Sequence, residues 1–172
     1  RHDQRADQPA HRERIGPEGF RIGICWQGST ARIDRGRSFP VAQFAGIAGL
    51  PGVRLISLHK GHGESQLDTL PEGMRVELPG PDFDPEGEAF LDTAAIMRVC
   101  DLVITSDTAV AHLAGALGLP VWVMLQHVPD WRWMLGRADS PWYPSMRLFR
   151  QQARGDWRSA FAPAETALEA LL

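Results

Sequence analysis

The sequence predicts an α/β fold, a doubly wound, mostly parallel, Rossmann-like sheet of about six strands. Short runs rich in Val, Ile and Leu alternate with segments of helical periodicity, which is the pattern of βαβ units. The runs are apolar along their whole length, which is typical of strands that a parallel sheet buries on both faces. Right-handed crossovers between such strands produce the doubly wound arrangement.

Six strands and five helices follow from this pattern. The strands are expected at 20–26, 53–58, 74–78, 101–105, 121–125 and 146–149. The helices are expected at 41–50, 64–70, 88–99, 108–117 and 163–172, with loops or irregular segments between them. The helix at 108–117 ends at Gly118 and is followed by Pro120, and Pro163 suits the first turn of the last helix.

The first 19 residues differ in composition from the rest of the chain. They carry four Arg, four acidic residues and only three apolar side chains, Ala6, Ala10 and Ile15. We therefore expect a linker or disordered arm at 1–19, outside the core, and a Rossmann-like domain at 20–172. The chain has no initiator Met, so we expect it to be part of a longer polypeptide.

Composition argues against several classes of protein. A formal net charge of −3 does not suit a nucleic-acid-binding protein, which depends on neutralising phosphates. No apolar run approaches the roughly 20 residues of a membrane span, and the charged first residues do not resemble a signal peptide. Two cysteines, Cys25 and Cys100, are too few for a disulfide scaffold and are expected to be free thiols in the cytoplasm.

Four segments follow predicted strands at the edge of the sheet where ligands bind. They begin at Gln27-Gly28, His59-Lys60, Ser106-Asp107 and Gln126-His127. The third segment is the most informative. Either Ser106 or Asp107 is expected to cap the next helix, which leaves backbone amides at the helix start as donors for a phosphate.

The helix that starts near Thr108 places a histidine beside this edge. On a helical wheel Val110, Leu113 and Leu117 form the packing face. His112 lies on the opposite side, one turn after Thr108, among small residues that a ligand could approach closely. The interpretation as a phosphate site competes with a capped helix that carries a surface histidine.

Other motifs are absent or ambiguous. The loop after the first strand lacks Gly-x-Gly-x-x-Gly, which disfavours a nicotinamide dinucleotide enzyme, and the chain has neither a nucleophile elbow nor a phosphate-binding P-loop. Two histidines, His59 and His62, have no third ligand of suitable spacing, so no metal site is expected. Basic residues at the same edge either contact phosphate or are solvated: Arg32, Arg35, Arg37 and Lys60.

An aromatic cluster lies in the irregular segment after the fifth strand. It consists of Trp131, Trp133, Trp142 and Tyr143. These side chains either stack on a base or sugar or form a hydrophobic plug beneath a long loop.

The segment SDTAVAHLAGALG, at 106–118, resembles the donor-binding motif of the heptosyltransferases, glycosyltransferase family nine. The segments at 57–61 and 128–133 are similar to a branch of bacterial proteins in which tetratricopeptide repeats precede a glycosyltransferase-like region. The resemblance covers about residues 20–160. It implies a GT-B transferase, whose two halves are each Rossmann-like and whose C-terminal half binds the nucleotide-sugar.

The resemblance also implies roles for particular residues. Asp107, Thr108 and His112 would contact the donor diphosphate and sugar. Arg37 would contact phosphate or sugar, where the family more usually has Lys, and Lys60 resembles a phosphate-contacting Lys of the related O-linked N-acetylglucosamine transferases. The full expected donor-binding set is Gln27, Gly28, Arg37, Lys60, Ser106, Asp107, Thr108, Ala109 and His112. The Ala of this set stands where heptosyltransferases often have Gly.

The sequence thus predicts the C-terminal, donor-binding half of a bacterial, cytoplasmic GT-B glycosyltransferase. Its ligand is expected to be a nucleoside diphosphate sugar, without cofactor or metal. Its partners are expected to be an N-terminal acceptor domain and repeats of the same polypeptide. The catalytic base is expected on that missing half, so this chain alone should transfer nothing. Two alternatives stay open: a non-catalytic nucleotide-binding or scaffolding module of a tetratricopeptide repeat protein, and another nucleotide-binding enzyme such as a sugar-nucleotide epimerase.

Overall fold

The computed structural model describes residues 13–28, 36–81, 83–84 and 90–172. Within these residues the strands are β1 Phe20–Cys25, β2 Val53–Ser57, β3 Val76–Glu77, β4 Leu102–Ser106, β5 Val121–Leu125 and β6 Met146–Arg150. The α-helices are α1 Ala45–Ala48, α2 Leu91–Met97, α3 Ala109–Ala116 and α4 Arg158–Glu169. Short 3₁₀ helices occupy Val41–Phe44, Glu64–Thr69 and Trp131–Trp133. None of the described helices is long and apolar enough to cross a membrane.

The strands form one sheet in the order β3-β2-β1-β4-β5-β6, and each adjacent pair is parallel. The predicted class, a doubly wound Rossmann-like sheet of about six strands, is therefore confirmed. At the outer edge of β6, Arg147 forms an isolated antiparallel bridge with Asp139. The strand order changes direction between β1 and β4, and ligands of open α/β sheets bind outside the carboxyl ends of the strands at such a switch point.

Helices cover the sheet on both faces. On one face α1 and α4 pack around an aromatic cluster of Phe39, Phe44, Trp157 and Phe161. On the other face α2 and α3 pack against the alternate residues of the same strands. In β4, for example, Leu102 and Ile104 belong to the first core cluster and Val103 to the second. Burial on both sides explains why each strand is a continuous apolar run.

The packing face of α3 differs from the helical-wheel prediction. The buried residues of the helix are Val110, Ala111, Ala114 and Gly115. Leu113 and Leu117, which the wheel places on this face, are only half-buried. The small side chains let the helix approach β4 and β5 closely, which leaves the two leucines at the margin of the interface. The predicted face is correct for Val110, and Leu113 and Leu117 also pack against this core but are only partly buried.

The last helix begins earlier than the sequence predicts. It spans Arg158–Glu169, so Pro163 lies inside it and not in its first turn. Its start is fixed by Asp156, whose carboxylate accepts a hydrogen bond from the Ser159 backbone N–H at 3.2 Å. An acidic residue just before the N-cap residue Trp157 is therefore the better start signal here. Pro163 is tolerated at the loss of one intrahelical hydrogen bond.

The helices predicted at 41–50 and 64–70 are shorter and tighter than expected. The first is the 3₁₀ helix Val41–Phe44 followed by α1, and the second is the 3₁₀ helix Glu64–Thr69. Pro and Gly bound both segments and leave room for only one or two turns, which favours the 3₁₀ form.

The residues before β1 are bonded to the end of the sheet where its parallel strands begin. Arg54 donates hydrogen bonds to the carbonyl oxygens of Ile15 and Glu18, and Ile15 is only 7% exposed. The expectation that no side chain before residue 20 joins the core is therefore wrong for Ile15. Residues 1–12 of the predicted arm lie outside the described residues.

Arg21 and Asp101 form an ion pair at the same end. Nε and Nη2 of Arg21 donate to the Asp101 carboxylate at 3.0 and 2.9 Å, and the Arg21 backbone N–H donates to it at 2.8 Å. These hydrogen bonds hold the pKa of Asp101 below its usual range. The pair joins the start of β1 to the start of β4, at the end of the sheet remote from the switch point.

We expect this ion pair to make folding stability depend on pH in the acid range. A carboxyl whose pKa is lower in the folded state stabilises the fold above its unfolded pKa of about 3.9. It loses that contribution as pH falls through the folded pKa. Asp101→Asn should therefore lower the free energy of unfolding at neutral pH by about 1 kcal/mol, a value that allows for partial exposure.

Urea titrations at a series of pH values measure this effect, and the difference from wild type should shrink at acid pH. Asp139→Asn is the matched control, because it disrupts a similar pair with Arg137 whose aspartate is more exposed. An equal pH dependence of the two variants would contradict the prediction.

Candidate functional site

The carboxyl ends of β1 and β4 lie side by side at the switch point. Cys25, the last residue of β1, is paired with Thr105 of β4. Gln27 and Gly28 follow β1 in the chain, and Ser106 is the last residue of β4. Two of the predicted site segments therefore start where the topology favours a ligand.

The start of α3 leaves backbone donors without acceptors. Thr108 is the N-cap residue, with extended backbone angles of φ −137° and ψ 175°, and its side chain makes no capping hydrogen bond. The expected cap by Ser106 or Asp107 is wrong. The N–H groups of Ala109 and Val110 have no intrahelical acceptor at this position and find none elsewhere in the described residues. Together with the helix dipole, these donors favour an anion.

Two buried side-chain atoms beside this helix start have no partner. Ser106 is fully buried and Asp107 is 3% exposed, yet Ser106 Oγ and Asp107 Oδ2 make no hydrogen bond within the described part of the chain. Such atoms are rare because each costs roughly 1–3 kcal/mol. A ligand or a water molecule here would complete their hydrogen bonds.

Threonine hydroxyls connect the end of β4 to the start of α3. Thr105 Oγ1 donates to the Ser106 carbonyl oxygen at 3.0 Å and lies 3.3 Å from Thr108 Oγ1. Next to them Cys25 is buried, and burial raises the pKa of its thiol to about 11. Cys25 is therefore a protonated packing residue at neutral pH and not a nucleophile. Both cysteines are free thiols, as expected.

His112 extends from α3 into an aromatic pocket. Its ring stacks on Trp133, with centroids 5.3 Å apart and planes inclined by 19°. Its Nδ1 lies 3.2 Å from the hydroxyl oxygen of Tyr143. The histidine predicted to face a ligand is thus half-buried and held by two aromatic residues that the predicted site does not include.

The surroundings of His112 favour its neutral form. Burial lowers its pKa, and the positive charge of Arg132 lowers it further. The charges of Asp107 and Asp130 act in the opposite direction and do not reverse the shift. At neutral pH the imidazole therefore has one N–H donor and one acceptor nitrogen.

The aromatic cluster after β5 is divided between interior and surface. Its exposed members are Trp131 and Trp142. Trp133 is buried, and the ring of Tyr143 covers Gly115, where a Cβ would lie 2.5 Å from Tyr143 Cγ. A hydrophobic plug is therefore the correct interpretation of Trp133. A glycine within a helix is the sequence signal that could have indicated this close approach.

Gln27 and Gly28 are bonded to neighbouring loops. Gln27 Oε1 accepts a hydrogen bond from Gln66 Nε2 at 3.1 Å, and Gln27 Nε2 contacts His62 Nδ1. The Gly28 N–H donates to Ser38 Oγ at 3.2 Å. These bonds fix the chain just beyond β1 at the edge of the switch point.

Lys60 holds the segment that follows β3. Its Nζ donates to the carbonyl oxygen of Phe83 at 2.7 Å and to that of Asp84. The Asp84 carboxylate in turn accepts a hydrogen bond from the Asp92 N–H at the start of α2, at 2.9 Å. The ammonium of Lys60 is thus engaged with protein carbonyls, and its contact with phosphate stays a prediction.

Arg37 is half-buried and lies two residues before the core residue Phe39. Its contact with phosphate or sugar also stays a prediction. The other two arginines of this loop, Arg32 and Arg35, lie outside the described residues.

His59 is a core histidine. Its ring lies against Trp26 with centroids 4.3 Å apart, its Nε2 lies 2.9 Å from the carbonyl oxygen of His62, and burial lowers its pKa. In the part of the chain that the structure describes, no three His, Cys, Asp or Glu side chains lie together as metal ligands would.

The switch point combines donors for an anion with an acceptor for a hydroxyl. The amides of Ala109 and Val110 and the imidazole of His112 provide N–H donors. The carboxylate of Asp107 provides the acceptor. This combination suits a ligand that carries both phosphate and hydroxyl groups.

The chain is 34% identical over 164 residues to Protein FlbA of Caulobacter vibrioides. This match covers 92% of the chain and 26% of that protein, so the chain spans about a quarter of the curated relative. No protein-family model matches the chain.

The fold matches that of solved glycosyltransferases. For the family 9 glycosyl transferase of Veillonella parvula the TM-score is 0.68 at 13% identity, over 99% of this chain and 52% of that one. For E. coli ADP-heptose lps heptosyltransferase II it is 0.61 at 16% identity, over 98% and 53%. For E. coli heptosyltransferase WaaC with ADP-2-deoxy-2-fluoro heptose it is 0.57 at 18% identity, over 90% and 44%. The chain spans about half the length of these enzymes and has the Rossmann-like fold of a GT-B domain.

Proposed function

We propose that the chain is the nucleotide-sugar-binding half of a bacterial GT-B glycosyltransferase. The observation that carries the proposal is the pair of buried oxygens, Ser106 Oγ and Asp107 Oδ2, which have no partner among the described residues at the start of α3. They lie at the switch point, beside helix-terminal amides that also find no acceptor in the described part of the chain. The likeness in fold to heptosyltransferases, one of them solved with an ADP-sugar analogue, supports the same assignment.

The diphosphate would lie against the start of α3. The N–H groups of Ala109 and Val110 donate to phosphate oxygens, and the helix dipole adds to the attraction. His112, one turn further along α3, donates to the phosphate or to the sugar, and the Thr108 hydroxyl adds a further donor. Hydrogen bonds of this kind to a charged group contribute about 1.5–3 kcal/mol each.

Asp107 would bind the sugar and not the phosphate, because two negative charges repel each other. Its Oδ2 accepts a hydrogen bond from a sugar hydroxyl, which supplies the partner that the atom lacks among the residues the structure describes. Ser106 Oγ completes the same group of polar contacts.

The loops after β1 and β2 would supply positive charge and the wall of the site. Arg37 grips the diphosphate with its planar guanidinium, and Lys60 acts as a point charge from the neighbouring strand end. Gln27 and Gly28 line the edge next to the start of α3. This group of roles follows from the resemblance to the heptosyltransferase motif and from the shared edge of the sheet.

In the whole enzyme an acceptor hydroxyl oxygen would form a bond to the anomeric carbon while the bond from that carbon to the diphosphate breaks. The amides of α3, Arg37 and His112 stabilise the charge on the departing diphosphate. The hydroxyl proton passes to a base on the acceptor half, which lies outside this chain. We propose that this step needs no metal ion or cofactor. We also propose that the whole protein is bacterial and cytoplasmic, and that its tetratricopeptide repeats and acceptor half belong to the same polypeptide.

Isothermal titration calorimetry with ADP, UDP, GDP and CDP, with and without Mg²⁺, tests the proposal. We expect saturable binding of one of the four, independent of Mg²⁺. His112→Ala should weaken that binding about tenfold or more, because it removes a donor to a charged group. His127→Ala is the matched control, since this histidine lies at the same edge but is bonded to Gln151.

Two results would contradict parts of this proposal. Absence of binding both by this chain and by the full-length protein would contradict the proposal and favour a non-catalytic scaffolding module. Glycosyl transfer by this chain alone would contradict the assignment of the base to the other half.

A further inference from the structure

We infer that Tyr143 is a positioning residue for His112: its hydroxyl donates to Nδ1, so that the imidazole proton stays on Nε2 as a fixed donor. The inference deepens the proposed function and rests on it for the nature of the ligand. The hydrogen bond between the two side chains does not depend on that function.

The imidazole is held on two sides. The buried ring of Trp133 stacks against it, and the Tyr143 hydroxyl lies 3.2 Å from Nδ1 with the two rings inclined by 59°. Nδ1 of His112 is the partner of the Tyr143 hydroxyl within the described residues. Nε2 has no partner there and is the nitrogen left for a ligand.

A close approach between two elements builds this arrangement. The Tyr143 ring rests directly on Gly115 of α3, where a Cβ would lie 2.5 Å from Tyr143 Cγ. Glycine weakens a helix relative to alanine, yet here it leaves the space that brings the tyrosine hydroxyl to the histidine. The helix thus contains a residue that is unfavourable locally and is explained by the contact with Tyr143.

The direction of the hydrogen bond follows from satisfying both groups. A neutral imidazole has one acceptor nitrogen, and a half-buried phenol needs an acceptor for its O–H. If Tyr143 donates to Nδ1, both requirements are met and Nε2 carries the proton. If Nδ1 carried the proton, the phenol O–H would have no acceptor among the described residues, and Nε2 would present a lone pair that repels an anion.

Nuclear magnetic resonance of the chain with isotope-labelled histidine tests the inference. Six histidines are present, and the His112 ring signals are assigned by their loss in His112→Gln. In the wild-type chain we expect the proton on Nε2 and an Nδ1 signal displaced by an accepted hydrogen bond. Tyr143→Phe should move the Nδ1 signal to the position of a ring nitrogen that accepts no hydrogen bond.

A second variant tests the same contact in case Tyr143→Phe fails to fold. Gly115→Ala favours the helix but displaces the Tyr143 ring, so it should shift the His112 Nδ1 signal in the same direction. Trp131→Phe, an exposed aromatic of the same segment, is the control and should leave the signal unchanged. A proton on Nδ1 in the wild-type chain, or an Nδ1 signal that neither variant changes, would overturn the inference.

Titration with the nucleoside diphosphate that binds the wild-type chain gives the functional readout. Tyr143→Phe should weaken binding about 3- to 10-fold, the loss expected for one neutral hydrogen bond. If the His112 ring signals behave as expected but no nucleoside diphosphate binds, the proposed function is overturned and the positioning of His112 stands. If a nucleoside diphosphate binds normally but neither variant changes the His112 ring signals, the positioning of His112 is overturned and the proposed function stands.

Discussion

Ala109→Pro is expected to lower the affinity for a nucleoside diphosphate about 10- to 100-fold while the fold stays intact. The substitution removes one of the two amide N–H groups at the start of α3 that find no acceptor among the described residues. Proline is favoured at the first position of a helix, because its φ is suitable and its missing N–H would be unpaired there. Thr108, the preceding residue, already has the extended backbone that proline requires of its neighbour.

Calorimetric titration measures the affinity, and urea denaturation measures the free energy of unfolding, which should change by less than about 0.5 kcal/mol. Ala109→Gly is the control, since it also changes the side chain at this position but keeps the N–H. Equal affinities of the proline and glycine variants would show that the α3 amides do not contact the ligand.

Phe161→Ala is expected to lower the free energy of unfolding by about 3–5 kcal/mol. The Phe161 ring is fully buried on one face of the sheet and meets Phe39 and Phe44 edge-on, with centroids 5.1 and 5.2 Å apart. Truncation removes a large buried apolar surface and leaves a cavity that the surrounding rings fill only in part. Because domains are stable by only about 5–15 kcal/mol, this loss is a large share of the total.

Guanidinium denaturation measures the effect. Leu171→Ala, at an exposed position just after α4, is the control and should change stability by less than about 0.5 kcal/mol. A change of less than about 1 kcal/mol for the Phe161 variant would mean that α4 contributes little to the core.

The sheet could be predicted from the sequence because burial on both faces leaves a strong local pattern. β5 has the predicted bounds, β1, β2 and β6 differ from theirs by one residue at one end, and β4 is displaced by one residue at both ends. The short β3 spans only the middle of its predicted range. The helices were harder because their ends depend on single contacts. Pro163 suggested a start that Asp156 in fact provides, five residues earlier than expected for α4.

The sequence indicates a place for the candidate site but not all of the residues that would form it. The motif around Asp107 and His112 placed it at the end of β4, since that placement depends only on strand order. The residues that hold His112 come from elsewhere in the chain, and Tyr143 is 31 positions away. The hydrogen bonds of Lys60 to carbonyl oxygens likewise depend on a loop 23 and 24 positions further along. Contacts of this kind leave no periodic signal.

The two outer strands of the sheet also bear on how the protein behaves in concentrated solution. An exposed strand edge offers unpaired backbone groups to which another chain can add. β3 offers only two residues, and its Glu77 is paired with Arg54 at 2.7 Å. Beside β6, the Leu148 N–H already donates to the Ala138 carbonyl oxygen at 2.8 Å. Both edges therefore resist strand addition, which protects a sheet of highly apolar strands against aggregation through its margins.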